Sequence, residues 1–156
     1  MSFNPDAFLD MSVDVELSTQ TIPVPTGTYP AVCQGIVGKP WQSKKDPSKS
    51  GYMLDLTWEI ADESVAALVG RPVVKVKQTI MLDMTEDGQL ITTKGSNVGL
   101  GRLRAALGMN EAGRPFSIRA VVGQAANVTV THRPDTRDGV EPGAVFAEVS
   151  QVSSLA

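Results

Sequence analysis

The stretch Tyr52-Met-Leu-Asp-Leu-Thr-Trp-Glu-Ile60 determines which fold class this chain can adopt. Apolar or aromatic residues occupy every even position from 52 to 60, and polar residues occupy most of the positions between them. A strict period of two is that of a β-strand with one face on a core and the other in water. The pattern predicts that Tyr52 and Trp58 share the buried face of this strand.

Other strands and helices are predicted on both sides of this stretch. Segments of strand composition, bounded by glycine or proline, span 28–37, 73–82, 127–132 and 144–152, and a short return strand is predicted over 89–93. The clearest helix begins after Ser96 or Asn97, either of which can cap it, and ends at Gly108. Further helical segments are predicted at 5–11, 62–69 and 116–121.

The order of these elements favours a closed sheet. Five strands with one helix between the third and fourth is the order of the oligonucleotide-binding (OB) fold, and closure removes exposed sheet edges. We therefore expect a mainly β domain, a five-stranded OB-like barrel over 28–152, with an N-terminal arm over 1–27 and a short tail over 153–156. A β-sandwich is the alternative, because it accepts similar strands.

Composition limits the setting of the protein. The 156 residues fit one domain, and no apolar run approaches the roughly 20 residues that span a bilayer. The N-terminus lacks a basic segment followed by an apolar one, so no signal peptide is expected. Cys33 has no cysteine to pair with, which fits a reducing cytoplasm. We expect a cytoplasmic protein without a membrane partner.

Catalytic motifs are missing from the sequence. With His132 and Cys33 as its single histidine and cysteine, the chain offers no recognisable zinc spacing, and no nucleophile elbow or phosphate-binding loop is present. We expect no enzyme activity, no metal and no cofactor.

The segment 39–51 stands out by its charge. It contains Lys39, Lys44, Lys45 and Lys49 against Asp46, a net charge of +3, whereas residues 1–27 have four acidic residues and no basic one. Trp41 lies within the segment and Tyr52 follows it. Single-strand binding needs cations for phosphates and aromatic faces for bases, so this segment is the candidate nucleic-acid loop.

OB barrels bind nucleic acid across strands two and three and with the loops between strands one and two and strands four and five. This places Lys75 and Lys77 of the third strand, and Arg133 and Arg137 of the last loop, among the candidate contacts. Competing interpretations are open. The lysines can simply be solvated, Trp41 can pack on the barrel end, and Lys75 and Lys77 can pair with Asp55 and Glu59 across the sheet.

Several motifs also resemble a known family. They are Ile22-Pro-Val-Pro-Thr-Gly-Thr-Tyr-Pro-Ala-Val, Lys49-Ser-Gly-Tyr-Met-Leu-Asp-Leu-Thr-Trp-Glu-Ile, and Gly101-Arg-Leu-Arg-Ala-Ala-Leu-Gly-Met. Over roughly residues 20–152 the chain resembles small bacteriophage single-stranded DNA-binding proteins of the OB-fold type.

The resemblance implies sequence-independent coating and protection of single-stranded DNA in phage replication or recombination. Its implied partners are single-stranded DNA and phage replication or recombination proteins, and it leaves self-association open. The alternative function is that of a phage structural or assembly protein with a barrel or sandwich and no role on nucleic acid.

Overall fold

The computed structural model describes residues 2–18, 21–48 and 50–155, and these ranges contain five strands, three α-helices and one 3₁₀ turn. The strands are β1 (Gly27–Gln42), β2 (Ser50–Ile60), β3 (Lys75–Leu82), β4 (Ala125–Pro134) and β5 (Val145–Ser153). The helices are α1 (Pro5–Leu9), α2 (Glu63–Val69) and α3 (Val98–Ala106), with the 3₁₀ turn at Ile118–Val121. The chain is therefore mainly β, as predicted.

The five strands form one mixed sheet that closes into a ring in the order β1-β2-β3-β5-β4. Strand β1 closes the ring because its first half pairs with β4 and its second half with β2. A register shift between Cys33 and Gly35 lets this long strand bend from one partner to the other. All pairings are antiparallel except that of β3 with β5, which is parallel at Lys77 and Glu148.

The core inside the ring follows the alternation of β2. Leu56 and Trp58 are fully buried, and Leu54 and Ile60 nearly so. The Trp58 Nε1 atom donates a hydrogen bond to Gln78 Oε1 at 2.9 Å, so the one polar atom of this side chain is satisfied. The prediction that Trp58 belongs to the core is confirmed, but that for Tyr52 is wrong, since Tyr52 is 51 % exposed.

Helix α3 lies between β3 and β4, as predicted, and packs Leu100 and Leu103 into the core. Asn97 does not cap the helix with its side chain. Its amide instead accepts from the Asp83 backbone N–H at 2.7 Å and donates to the carbonyls of Asp83 and Ile91. Asn97 thus holds the loop after β3 against the start of α3.

Other boundaries differ from the prediction. Strand β1 continues to Gln42 and β2 begins at Ser50, so the predicted loop 39–51 shrinks to a hairpin turn whose described residues are 43–48. The predicted return strand over 89–93 is reduced to a single bridge between Met84 and Leu90. The helical segments predicted at 5–11, 62–69 and 116–121 are confirmed as α1, α2 and the 3₁₀ turn. The described residues therefore contain three α-helices, not only the one expected between the third and fourth strands. Among the described residues, no helix has the length and apolarity needed to cross a membrane.

Candidate nucleic-acid interface

The register of β1, β2 and β3 defines an outer face of the sheet. Asp55, Thr57 and Glu59 of β2 lie between the buried residues of that strand. Their partners across the sheet belong to the same face, including Thr79, Lys77 and Lys75 of β3 and Val37 of β1. Lys39 and Trp41 continue this face along β1, two and four residues after Val37. The structure therefore aligns Lys39, Trp41, Lys75 and Lys77 on one surface.

An aromatic groove of about 470 Å³ lies where this face meets the end of the ring. Its walls come from the β1–β2 hairpin and from the loop after β3, and they include Trp41, Tyr52, Leu82, Met84 and Ile91. Trp41 lies opposite Gly51 in the hairpin, and a Cβ atom added to Gly51 would lie 3.7 Å from the Trp41 ring. The glycine thus leaves the space beside the indole without a side chain. Trp41 lines this groove from the outer face and Tyr52, which has the inward phase of its strand, lines it at the end of the ring. Aromatic side chains in an open groove suit the stacking of bases.

The hairpin turn beside the groove presents lysines without ion pairs. Lys44 and Lys45 are exposed, and in the part of the chain that the structure describes neither forms a salt bridge. The carboxylate of Asp46 is occupied within the turn, where it accepts from the Ser48 N–H at 3.1 Å and from the Ser48 hydroxyl. Lys49, the remaining candidate of this turn, lies outside the described residues.

Lys39 differs from the hairpin lysines because it is paired. Its Nζ atom lies 2.5 Å from Asp55 Oδ2 on the outer face, and Asp55 Oδ1 also accepts from the Thr79 hydroxyl at 3.1 Å. The hydrogen bond from Lys39 lowers the pKa of Asp55, with smaller contributions from Thr79 and Lys77. Lys39 is therefore largely neutralised in the free protein.

The predicted pairing of Lys75 and Lys77 with Asp55 and Glu59 does not form within the described residues. Glu59 lies opposite Lys75 in the register, but its carboxylate accepts from Gln34 Nε2 at 2.6 Å. Lys77 lies opposite Thr57 on one side and Glu148 on the other. Both lysines are exposed on a face of mixed charge.

The two arginines predicted in the last loop both contact acidic partners, but Arg133 belongs to β4 and only Arg137 lies in the loop between β4 and β5. Arg137 forms two hydrogen bonds to the Asp135 carboxylate, at 3.0 and 2.8 Å, and Arg133 pairs with Glu148 at 3.2 Å. The bond from Arg137 lowers the pKa of Asp135, and Asp135 in turn raises the pKa of Arg137. Both guanidinium groups also lie over the ring of Phe146, at 5.3 and 4.8 Å from its centre.

The two loops lie at opposite ends of β3. The hairpin turn lies near the end of β3, because Tyr52, just after the turn, pairs with Leu82. The loop before β5 lies near the start of β3, because Glu148, three residues after the start of β5, pairs with Lys77. The eight residues of β3 measure about 26 Å at roughly 3.3 Å per residue. The candidate residues therefore form two groups at the ends of the outer face, with Lys75 and Lys77 between them.

Sequence reasoning missed three contributors to this surface. Phe146 lies under both arginines, and Met81 and Val37 are exposed apolar residues on the outer face. Apolar residues at polar-face positions of β1 and β3 could have indicated this surface. The strand register that places them on one face cannot be read from the sequence.

No protein-family model matches the chain, and no curated protein sequence matches it. The assignment of a function therefore depends on the geometry of this surface and on the sequence motifs.

Proposed function

We propose that this chain is a sequence-independent single-stranded DNA-binding protein with an OB-type barrel. In this proposal it coats and protects exposed strands during phage replication or recombination, in the cytoplasm of the host cell. The strand order of the ring, the parallel contact of β3 with β5 and the position of α3 support the fold assignment.

The observation that most favours binding is the aromatic groove beside the hairpin turn. Trp41 and Tyr52 offer rings to unstacked bases, and Lys44 and Lys45 offer charges to the phosphates next to them. Base stacking on aromatic side chains contributes about 1–3 kcal/mol per base and does not depend on sequence. Lys75 and Lys77 extend the cationic path along the outer face.

Titration of Trp41 fluorescence with oligonucleotides tests the proposal. We expect oligo-dT to quench the emission and to bind well above a duplex of equal length, because paired bases cannot stack in the groove. The variant Trp58→Phe isolates the Trp41 signal. Equal affinity for single and double strands, or no binding at low salt, would refute the proposal.

A second candidate function is that of a phage structural or assembly protein. The observation in its favour is charge balance, because Lys39, Arg133 and Arg137 all pair with carboxylates. Asp83 and Glu86 also line the aromatic groove, where they would repel a phosphate backbone. A gel shift with labelled oligonucleotides at low salt separates the two, since the second function predicts no shifted band.

A further inference from the structure

The N-terminal arm presents an apolar surface that the single chain leaves uncovered. Seven large apolar side chains between residues 3 and 17 are 54 % to 77 % exposed: Phe3, Phe8, Leu9, Met11, Val13, Val15 and Leu17. Exposed apolar side chains that accumulate on one segment of a monomer commonly mark an interaction site.

The second half of the arm has the pattern of a β-strand. From Met11 to Ser18 apolar and polar residues alternate strictly. This run of eight residues is too short to give residues 1–27 as a whole a sustained period. Its polar positions include Asp14 and Glu16, and the arm contains no lysine or arginine. Within the described ranges, residues 11–18 pair with no strand. The segment is thus an acidic amphipathic strand without a sheet.

A complementary place exists between β3 and β5. These strands pair at Lys77 and Glu148 alone, whereas β2 with β3 and β4 with β5 are each aligned over eight residue pairs. Beyond that contact the strands diverge around a groove of about 480 Å³, here called the seam, lined by residues 78–81, 149–152 and α3. The seam is where the ring has the least strand pairing, and strand edges of this kind accept added strands.

The chemistry of the seam matches the arm. The floor of the seam is the edge of the core, where Ile80, Leu103, Val149 and Val152 are each at most 9 % exposed. Met81 supplies an exposed apolar side chain at its rim, and Arg102 of α3 supplies an exposed cation. Among the described residues, Arg102 forms no salt bridge or hydrogen bond through its side chain. An acidic strand would meet one uncompensated positive charge there, with Lys77 at the closed end of the seam.

The root of the arm is fixed at the other end of β3. Val24 is buried, its carbonyl lies 2.7 Å from His132 Nε2, and it lines a small cavity with Lys75 and Val145. Six residues lie between Leu17 and Val24, and an extended chain of this length spans roughly 24 Å, so the arm is long enough to reach the seam of its own chain. The single chain nevertheless leaves the strand undocked, which favours a seam on another molecule.

We propose that residues 11–17 dock as an added strand into the β3–β5 seam of a second copy of this chain. The arm and the seam are different surfaces of the chain. Two chains can therefore exchange arms and form a closed dimer, or successive chains can associate head to tail. This inference does not rest on DNA binding, because it needs neither the aromatic groove nor the hairpin lysines.

Cross-linking of mixed chains tests the proposal directly. One chain has Val15→Cys and the other has Gln151→Cys in the seam, and a short bismaleimide joins only thiols that lie close together. Cys33 is buried and stays unchanged in both chains. We expect a covalent dimer from the mixture, and several-fold less from Val15→Cys mixed with Thr28→Cys, an exposed position on β1 away from the seam.

A chain with both Val15→Cys and Gln151→Cys distinguishes the two arrangements. Docking in trans predicts cross-linked species of two or more chains, whereas a cross-linked monomer at high dilution would mean that the arm occupies its own seam and would overturn the proposal.

Sedimentation velocity gives an independent measurement. We expect the wild-type chain to associate with rising concentration, and Val13→Asp with Val15→Asp to remain monomeric. The matched control Ser12→Asp with Ser18→Asp adds the same charge to the polar face, and we expect it to weaken association much less. A wild-type chain that is monomeric at every concentration would refute the inference.

Discussion

Trp41 and Trp58 lie on neighbouring strands in opposite environments. Trp58 is fully buried in the core, while Trp41 is partly exposed beside Gly51 on the outer face. We expect Trp58→Ala to lower the free energy of unfolding by roughly 3–5 kcal/mol. Trp41→Ala should lower it by about 1 kcal/mol and weaken the binding of single-stranded DNA by about 1–3 kcal/mol.

Urea unfolding and fluorescence anisotropy of a labelled oligo-dT measure the two effects. If Trp41→Ala destabilises the fold as much as Trp58→Ala, then Trp41 acts as a structural residue and the aromatic groove is not the binding site.

The ion pair of Lys39 with Asp55 gives a second prediction at this scale. Asp55→Asn removes the charge that neutralises Lys39, so the affinity for single-stranded DNA should rise. The slope of log affinity against log salt should steepen by about 0.7, the value for one more neutralised phosphate. Salt titration of the variant beside the wild type measures this. Unchanged affinity and slope would place Lys39 outside the contact surface.

The same variant has a pH signature in stability. The pKa of Asp55 is lower in the folded chain than its ordinary value of 3.8. Its contribution to stability is therefore fully present above that value and is lost as pH falls through the lowered one. Asp55→Asn should lower the free energy of unfolding by about 0.5–1 kcal/mol at neutral pH, a small value because Lys39 is about half exposed. In strong acid, where Asp55 is protonated, the substitution should not change the free energy of unfolding. A cost that is constant with pH would exclude the ion pair as its source.

At the scale of the elements, the hairpin turn is expected to supply most of the phosphate contacts. The triple change of Lys44, Lys45 and Lys49 to Ala should reduce the salt slope by about 2, or roughly 0.7 for each phosphate. The matched control changes Arg71, Lys94 and Arg119 to Ala, which removes the same net charge from exposed positions elsewhere. If both triple variants lose the same affinity and slope, binding depends on net charge rather than on the hairpin turn.

The elements also explain what the sequence could predict. The alternation in β2 predicted its buried face and Trp58 because a period of two is local information. The extension of β1 was missed because Gly38 and Pro40 read as breakers. After Val32, however, β1 pairs only with β2 among the described residues, and its other edge has no partner strand there. A proline is tolerated there because no strand on that edge needs its missing N–H.

Tyr52 and the outer face depended on information that is not local. Tyr52 has the inward phase of its strand, but it lies at the end of the ring, where the core no longer covers it. The pairing of Lys39 with Asp55, and the failure of Lys75 to pair with Glu59, follow from the register and from the competing Gln34. The sequence shows which side chains are charged, but it does not show which of them form ion pairs.

At the scale of the whole molecule, the negative charge of the arm offsets the positive charge of the hairpin turn. The net charge of −3 includes four acidic residues of the arm, so removing residues 2–18 changes the net charge to +1. Residues 2–18 are exposed and outside the core, so this deletion should leave the melting temperature of the monomer nearly unchanged. The remaining domain should attract a polyanion more strongly at long range.

We expect the deletion to raise the association rate for a short oligo-dT several-fold at low salt. The gain should disappear near 1 M salt, where the screening length falls to about 3 Å. Stopped-flow quenching of Trp41 measures the rate, with an oligonucleotide that holds one protein and at a protein concentration where the wild-type chain is monomeric. The control replaces Asp6, Asp10 and Asp14 with Asn and Glu16 with Gln, which neutralises the arm and keeps its apolar residues. Because the predicted cause is charge alone, this variant should match the deletion, and a gain seen only in the deletion would mean that the arm blocks the surface physically.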